Sequence, residues 1–169
     1  MSDDSFREFV IARGPDLTRM ATLLCRDRAD AEDLVQDTLA SAYAGWRRIE
    51  TTTSPEAYVR RMLVNRHVSW WRRHRGRVEP RAAVPDTTTP DPTEATVTTD
   101  AVRRMLRGLP PRQRAAVVLR YYADYSDAQI AETLGCAEAT VRSQISRALA
   151  TLREPAGMAE LGLIERTLT

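Results

Sequence analysis

Residues 126–152 read SDAQIAETLGCAEATVRSQISRALATL, and the order of polar, apolar and glycine residues in this stretch decides the local fold. Ser126 and Gln129 form the S-x-x-Q pattern of a capping box, which predicts that a helix begins there. Gly135 is expected to end that short helix, because glycine readily adopts the left-handed conformation that follows a helix. A second helix is predicted from about Glu138. Two helices joined by a short glycine turn are typical of a helix-turn-helix.

The second predicted helix has an apolar face that would pack inward and a polar face that would stay exposed. Its apolar residues recur at helical spacing: Val141, Ile145, Leu149 and Leu152. The exposed face carries Arg142, Ser143, Ser146 and Arg147. Arginine can donate two parallel hydrogen bonds to a guanine edge or to a phosphate, and serine can hydrogen-bond to either. Helices that enter the DNA major groove use such side chains. The alternative is a generic helical hairpin with solvated arginines; the agreement of cap, glycine turn and apolar spacing favours DNA binding.

Upstream of this hairpin the sequence predicts one more helix and a linker. Pro111 suits the first turn of a helix whose apolar positions are Ala115, Val118, Leu119 and Tyr122. Residues 78–100 contain four prolines, seven threonines and no aromatic residue, so they cannot bury an apolar face. We therefore expect a flexible acidic linker at 78–100, a C-terminal domain at 101–153 and a short tail at 154–169.

Residues 1–77 are predicted to form a second small domain, so that the fold class is all-α with two helical domains. A first helix carries Phe6 and Phe9 and is expected to end at Gly14-Pro15. Asp30 is the expected N-cap of a helix whose core-facing stripe is Val35, Leu39, Ala42 and Trp46. A polar loop over 47–53 follows. Ser54-Pro55 then opens a helix that runs to about residue 75.

The net charge of +2 hides a segregation of charge along the chain. Residues 54–77 carry seven arginines against one acid, and residues 101–153 carry nine arginines against four acids. Two basic blocks separated by an acidic stretch indicate two nucleic-acid surfaces. The alternative is two solvated helix faces, and charge alone does not decide between them.

The sequence also lacks the signatures of an enzyme or a metal site. It contains no glycine-rich phosphate loop, no GxSxG and no HExxH. Cys25 and Cys136 have no CxxC partner and are expected to pack in cores, while His67 and His74 lie among arginines. We expect no catalytic activity, metal, cofactor or small-molecule substrate. No apolar run is long enough to span a membrane and none follows the start, so the expected location is cytoplasmic.

Three segments together resemble the extracytoplasmic-function (ECF) group of bacterial RNA polymerase sigma factors. They are DLVQDTLASAYAGW at 33–46, SPEAYVRRMLVNRHVSWWRRHR at 54–75, and the stretch from LPPRQRAAVV to the end of the hairpin at 109–153. The likeness is to the actinobacterial SigE-like branch in particular, through AYVRRMLVN and SWWRR. It implies a sigma region 2 in residues 1–77, a sigma region 4 in 101–153, and a protein that directs promoter-specific initiation.

The resemblance also implies a role for each surface. The face that docks on the coiled coil of the polymerase β′ subunit would comprise Asp33, Gln36, Asp37, Leu39 and Tyr43; the alternative is an ordinary solvated acidic face. The −10 promoter element would be opened and read by the loop 47–54 and by Tyr58, Arg61, Asn65, Arg66, Arg72 and Arg73. Asn65 matches the asparagine of a pocket for a flipped base, the alternative being a mid-helix amide that bonds its neighbours.

The −35 element would be read in the major groove by Arg142, Ser143, Gln144, Ser146 and Arg147. Relatives often carry a basic residue in place of Gln144 and a larger side chain in place of Ser146, so the −35 sequence itself is not predicted. Housekeeping sigma factors have two adjacent tryptophans where this chain has Tyr58 and Val59, which implies weaker strand separation. Trp70-Trp71 is a different pair, of which one ring is expected to pack in the core.

The implied partners are core RNA polymerase, through its β′ coiled coil and β flap, and promoter DNA. The family usually also has an anti-sigma factor, although nothing in this sequence identifies one. Apart from the resemblance, the residues leave open a helix-turn-helix transcriptional regulator with an N-terminal sensor or dimerisation domain. The basic helix at 54–75 argues against that alternative, because a sensor domain has no need for so many arginines.

Overall fold

The computed structural model of the chain describes residues 2–74 and 94–153. Within these ranges every regular element is a helix and no strand occurs, which confirms the all-α prediction. The helices are α1 (Ser2–Leu24), α2 (Arg28–Ala44), α3 (Trp46–Ile49), α4 (Pro55–His74), α5 (Glu94–Arg107), α6 (Pro111–Tyr121), α7 (Asp127–Leu134) and α8 (Glu138–Leu152). The chain divides into two compact units between residues 74 and 75. None of the described helices is long and apolar enough to cross a membrane.

The first unit is built from α1 to α4, with α1, α2 and α4 packed on one another. Its core is formed by fully buried apolar side chains from these three helices: Met20, Leu24, Ala42, Val59, Leu63 and Val64. The start of α4 follows the predicted signal, because the Ala57 backbone N–H donates to Ser54 Oγ at 3.2 Å and Pro55 occupies the first helical position. This packing presents one face of α2 and one face of α4 to solvent.

An aromatic cluster joins the first two turns of α1 to the junction of α2 and α3. The buried Trp46 ring lies 5.2 Å from Phe6 and 4.9 Å from Phe9, measured between ring centroids. Its Nε1–H donates to Ser5 Oγ at 2.8 Å, and the Ser5 hydroxyl in turn donates to a Glu50 carboxylate oxygen at 2.7 Å. Edge-to-face rings and a satisfied indole N–H make this cluster a strong anchor for α1.

Two expectations for the first two helices of this unit were wrong. The helix does not end at Gly14-Pro15, because α1 continues through both residues to Leu24. An internal proline costs about 3 kcal/mol, and here the aromatic cluster before it and buried Leu17 after it hold both halves in one helix. The N-cap of α2 is Asp27 and not Asp30, since Asp27 Oδ1 accepts from the Asp30 backbone N–H at 2.8 Å.

The predicted loop 47–53 also contains structure. Its first residues form α3, a single turn whose Ile49 is buried against α1 and α2. The core-facing stripe of α2 is confirmed for Val35, Ala42 and Trp46, although Trp46 belongs to α3. Gly45 separates α2 from α3, yet the apolar residues keep the same helical spacing on both sides of it. The spacing of apolar residues therefore does not reveal that one helix ends and another begins.

The cysteine and tryptophan expectations hold only in part. Cys25 is buried, with its Sγ 3.8 Å from Nδ1 of the equally buried His67, whereas Cys136 is only half-buried. In residues 2–74 and 94–153 no group of three or more His, Cys, Asp or Glu residues could hold a metal ion. Trp70 is exposed and Trp71 is half-buried, so neither ring packs in the core as one was expected to do.

The second unit contains α5 to α8, with α6 packed on both α7 and α8. The predicted capping box is present, because Ser126 Oγ accepts from the Gln129 backbone N–H and the Gln129 side chain accepts from the Ser126 backbone N–H. Gly135 ends α7 in the left-handed region, at φ 63° and ψ 47°. The helix-turn-helix predicted from residues 126–152 is therefore confirmed in both helices and in the turn between them.

One feature of this unit differs from the prediction, and one was not predicted. Residues 94–100 were assigned to the linker but form the first half of α5; the rest of the predicted linker and the tail lie outside the described residues. Arg114 is one of the most deeply buried side chains and donates from Nη2 to the Leu109 carbonyl at 3.1 Å. This hydrogen bond ties the first turn of α6 to the segment that connects it with α5.

Candidate nucleic-acid and protein interfaces

The outer face of α8 is held in place by a buried inner face. Val141 is fully buried and Ile145 nearly so. On the opposite side Arg142, Ser146 and Arg147 are exposed, while Ser143 and Gln144 are half-buried. The structure therefore brings all five predicted −35 residues onto one helix, with the two arginines outermost. Long basic side chains on a rigid helix match what a major groove accepts.

Arg142 forms ion pairs with two acidic residues. Its Nη1 lies 3.5 Å from an Asp127 carboxylate oxygen and 3.7 Å from a Glu138 carboxylate oxygen. The other Asp127 oxygen forms an ion pair with Arg120, at the end of α6. Asp127 thus joins helices α6, α7 and α8 through two arginines. Sequence reasoning missed this network, because residues 15 positions apart have no spacing rule that would pair them.

A shallow groove continues from this network along α8. Arg120, Tyr121, Arg142 and Ser146 line it together with Arg153 and apolar residues of α8. Its polar lining consists of three arginines and the hydroxyls of Tyr121 and Ser146, so it offers several donors and positive charge. Such a lining suits phosphate or base-edge oxygen atoms.

Helix α4 presents the predicted −10 residues in two rows. Tyr58, Arg61, Asn65 and Arg72 follow one line of the helix, whereas Arg66 and Arg73 lie on the neighbouring line. Arg61, Asn65, Arg72 and Arg73 are exposed. The Asn65 side chain forms no hydrogen bond with any described residue, so its amide is available to a partner and does not bond its neighbours. Trp70, 41% exposed, lies on the same helix.

Tyr58 is positioned by the segment before α4. Its hydroxyl accepts a hydrogen bond from Arg48 Nη2 at 2.9 Å, and the Arg48 guanidinium carbon lies 6.0 Å from the Tyr58 ring centroid. Arg48 belongs to α3, so this contact fixes α3 and the following turn against the start of α4. The resemblance implies that the loop and the helix act together on the −10 element, but nothing in the sequence identifies Arg48 as the residue that joins them.

Arg66 faces a different way from the other predicted −10 residues. Its Nη2 donates a short hydrogen bond to Ser41 Oγ, and its Nη1 lies 3.8 Å from an Asp37 carboxylate oxygen. Both partners are on α2. The structure therefore places Arg66 beside the predicted polymerase-docking residues and away from the row that holds Asn65.

The exposed face of α2 carries the predicted docking residues. Asp33, Gln36 and Asp37 are exposed, Leu39 is half-buried, and Tyr43 is 51% exposed. The Tyr43 hydroxyl donates to an Asp3 carboxylate oxygen at 3.1 Å, and this hydrogen bond raises the pKa of Tyr43. The Tyr43 ring also lies 5.1 Å from Phe6, so an exposed aromatic edge is held firmly beside the acids.

Comparisons with known proteins agree on both units. Residues 9–77 match the family description "Sigma-70 region 2", and residues 99–152 match "Sigma-70, region 4". The chain is 38% identical over 149 residues to the RNA polymerase sigma-E factor of Streptomyces coelicolor, covering 88% of this chain and 84% of that protein. It is 36% identical over 148 residues to the ECF RNA polymerase sigma factor SigM of Mycobacterium tuberculosis, covering 87% of this chain and 74% of that protein.

Two solved structures are similar to the fold. One is the sigma factor RpoE of Bartonella quintana in complex with the anti-sigma factor NepR, with a TM-score of 0.61, 28% identity, and coverage of 87% of this chain and 93% of that chain. The other is CnrH in complex with the cytosolic domain of CnrY, with a TM-score of 0.56, 22% identity, and coverage of 88% and 85%. At this identity the second likeness concerns the fold alone.

Proposed function

Because this chain belongs to the ECF group of the sigma-70 family of RNA polymerase sigma factors, we propose that its two helical units divide promoter recognition between them. Region 2, in residues 1–77, would bind core polymerase and read the −10 element. Region 4, in residues 101–153, would read the −35 element. Residues 78–100 would link them. The observation that carries this proposal is the exposed arginine and serine face of α8, held by buried Val141 within a capped helix-turn-helix.

Region 2 would use two separate surfaces. The acidic face of α2, with Asp33, Gln36 and Asp37, suits a basic surface such as the β′ coiled coil, and Leu39 and Tyr43 add apolar contact at its edge. The row Tyr58, Arg61 and Asn65 on α4 would take the −10 element, with a flipped base held at Asn65. Arg72 and Arg73 would contact the DNA backbone nearby.

The remaining assignments follow from the same role. The protein would act in the cytoplasm, where core polymerase and promoter DNA are found, and would contact the polymerase β flap through region 4. It would carry no catalytic activity of its own, since the polymerase forms the phosphodiester bonds. An anti-sigma factor is a further expected partner, as in the Bartonella quintana complex.

Run-off transcription tests the function directly. Core polymerase with this chain is expected to start RNA at a defined site, while core polymerase alone does not. A helix-turn-helix regulator would instead act only when another sigma factor is already present, so initiation that strictly required a second sigma factor would contradict the proposal.

Asn65→Ala is expected to lower open-complex formation by about 1–3 kcal/mol, because the flipped base would lose the hydrogen bonds of the amide. Closed-complex binding should change little, since the pocket acts only after the base has left the stack. Permanganate footprinting measures strand opening, and gel-shift at low temperature measures closed binding. Equal losses in both steps would mean that Asn65 is not part of a flipped-base pocket.

Arg147→Ala is expected to weaken binding to the −35 element by about 1–3 kcal/mol, which is the discrimination supplied by one forked arginine–guanine contact. The matched control is Arg104→Ala, which removes one exposed positive charge from α5 in the same unit. Titration of the holoenzyme against duplex DNA measures both variants. If Arg104→Ala weakened binding as much as Arg147→Ala, the effect would reflect charge and not base reading.

A further inference from the structure

Within the described residues, Arg142 is the one predicted −35 residue whose charged group forms ion pairs. Its side chain is 60% exposed, yet one nitrogen, Nη1, faces carboxylate oxygen atoms of both Asp127 and Glu138 at 3.5 and 3.7 Å. Neither Nε nor Nη2 of Arg142 has an ion pair with a described residue. The guanidinium is therefore held from one end and open along its other edge.

Asp127 is the fixed point of this arrangement. Its side chain is only 22% exposed, it begins α7 directly after the Ser126 cap, and its second oxygen is paired with Arg120 of α6. A carboxylate held at a helix N-terminus and by a second arginine has little freedom to move. Glu138, by contrast, is more than half exposed and lies one turn before Arg142 on the same helix.

We propose that Asp127 is a positioning residue: it orients the Arg142 guanidinium so that it contacts a base edge and not a phosphate. This inference rests on the proposed function of α8 in reading the −35 element. An arginine without such partners on a DNA-facing helix can hydrogen-bond to any phosphate. This contact raises the affinity for DNA but does not distinguish one sequence from another. Two carboxylates beside Nη1 repel phosphate from that end of the guanidinium. The Nε and Nη2 edge keeps two parallel donors, which is the pattern that guanine O6 and N7 accept.

Holding the side chain also lowers the entropy lost on binding. Arginine has many rotamers, and a guanidinium already oriented by its partners loses fewer of them when it meets a base. Asp127 thereby favours the sequence-specific complex over complexes with arbitrary DNA. If the Asp127 carboxylate is removed, we expect the protein to discriminate less between DNA sequences and to bind unrelated DNA more tightly.

The experiment uses holoenzyme formed from the full chain and a pool of randomised duplex DNA. Sequencing of the bound fraction gives the base preference at each position, and titration against the selected duplex and a shuffled duplex gives the discrimination ratio. Asp127→Asn is expected to lower that ratio about twofold to fivefold, the range for partly exposed ion pairs. Binding to the shuffled duplex should rise, and the preference should weaken at the base pair that depends on Arg142.

Asp124→Asn is the matched control. Asp124 is exposed, lies three residues before Asp127 and has a positive φ of 55°, which asparagine tolerates well. It carries the same change of side chain and of charge, so it should behave as the unchanged protein does. Asp127→Glu should restore most of the discrimination, because it restores a carboxylate beside Arg142.

Arg142→Ala separates failure of this inference from failure of the proposed function. If Arg142→Ala leaves every base preference intact, Arg142 does not read the −35 element and the premise fails. If Arg142→Ala removes a preference while Asp127→Asn leaves it unchanged, the positioning role is overturned and the proposed function stands. In the Arg142→Ala background, Asp127→Asn should have no further effect on discrimination; an undiminished effect there would also overturn the proposal.

A loss of folding in Asp127→Asn is recognised by thermal unfolding followed by circular dichroism. Glu138→Gln gives a second variant, since Glu138 has no described ion pair except with Arg142. It should lower discrimination in the same direction and by less than Asp127→Asn, because Glu138 is the more exposed and less fixed of the two acids. An unchanged ratio in a folded Glu138→Gln and a folded Asp127→Asn would contradict the inference.

Discussion

Replacing Asp37 by arginine is expected to abolish binding to core RNA polymerase while leaving the helical content of the chain unchanged. The Asp37 side chain is 68% exposed on the acidic face of α2, so its substitution removes no packing. Against a basic partner surface the new arginine is a like-charge contact, which costs several kcal/mol across an interface. A loss of about 2–5 kcal/mol corresponds to a loss of binding at ordinary protein concentrations.

The structure predicts a graded series at this position. Asp37→Asn removes the favourable charge without adding a repulsive one, so its effect on core binding should lie between the unchanged protein and Asp37→Arg. Among the described residues, Asp37 forms an ion pair with Arg66, at 3.8 Å. This pair is solvent-screened, and its loss should change the free energy of unfolding by less than about 1 kcal/mol.

Glu8→Arg is the matched control for charge reversal. Glu8 is an exposed acid on α1, outside the face that holds Asp33, Gln36 and Asp37. Fluorescence anisotropy with labelled chain and core polymerase gives the affinity of each variant. If Asp37→Arg bound core polymerase as tightly as Glu8→Arg does, the α2 face would not be the docking surface.

Trp46→Ala is expected to lower the free energy of unfolding of the first unit by about 3–5 kcal/mol. The substitution leaves a cavity between Phe6 and Phe9 and removes the donor to Ser5 Oγ. Since small domains are stable by only about 5–15 kcal/mol, this is a large part of the total. The first turns of α1 would lose their anchor, and with them the support of Tyr43 beside the docking face.

Trp46→Phe is the milder substitution at this position. It keeps an aromatic ring in the cluster and removes the indole N–H together with part of the ring volume, so it should cost less than Trp46→Ala, about 1–2 kcal/mol. All three tryptophans lie in the first unit, so tryptophan fluorescence during urea unfolding reports that unit and Trp70 and Trp71 remain as probes. A loss as small in Trp46→Ala as in Trp46→Phe would mean that the cluster does not anchor α1.

Helix starts and buried faces could be predicted from the sequence because their causes are local. Ser54-Pro55 and the Ser126 capping box carry their own hydrogen-bond partners within three residues, and the structure forms each helix there. Gly14-Pro15 is equally local, yet the prediction from it was wrong. The difference is that contacts from distant Trp46 and from Leu17 stabilise α1 on both sides of the proline by more than the proline costs.

For the candidate interfaces too, arrangements within one helix could be predicted and contacts between helices could not. The exposed rows of α8 and α4 follow from helical spacing, which also placed the acids of α2 on one face. Spacing within one helix does not reveal pairs between helices. Arg66 therefore could not be seen to bond Ser41 and Asp37, nor Arg142 to meet Asp127, until the helices were packed. Arg66, predicted as a −10 residue of α4, therefore contacts the helix that carries the predicted docking residues.

One cysteine lies in each unit, so the reactivity of each thiol reports on a different part of the molecule. Cys25 is buried beside His67, so an alkylating reagent can reach its thiol only when the first unit opens. Cys136, half-buried just after Gly135, becomes accessible through a much smaller fluctuation of the turn between α7 and α8. The alkylation rate of Cys25 therefore reports the opening of the first unit, and the rate of Cys136 reports the fluctuation of the turn between α7 and α8. Mass spectrometry measures both rates on the same chain, without a label or a substitution.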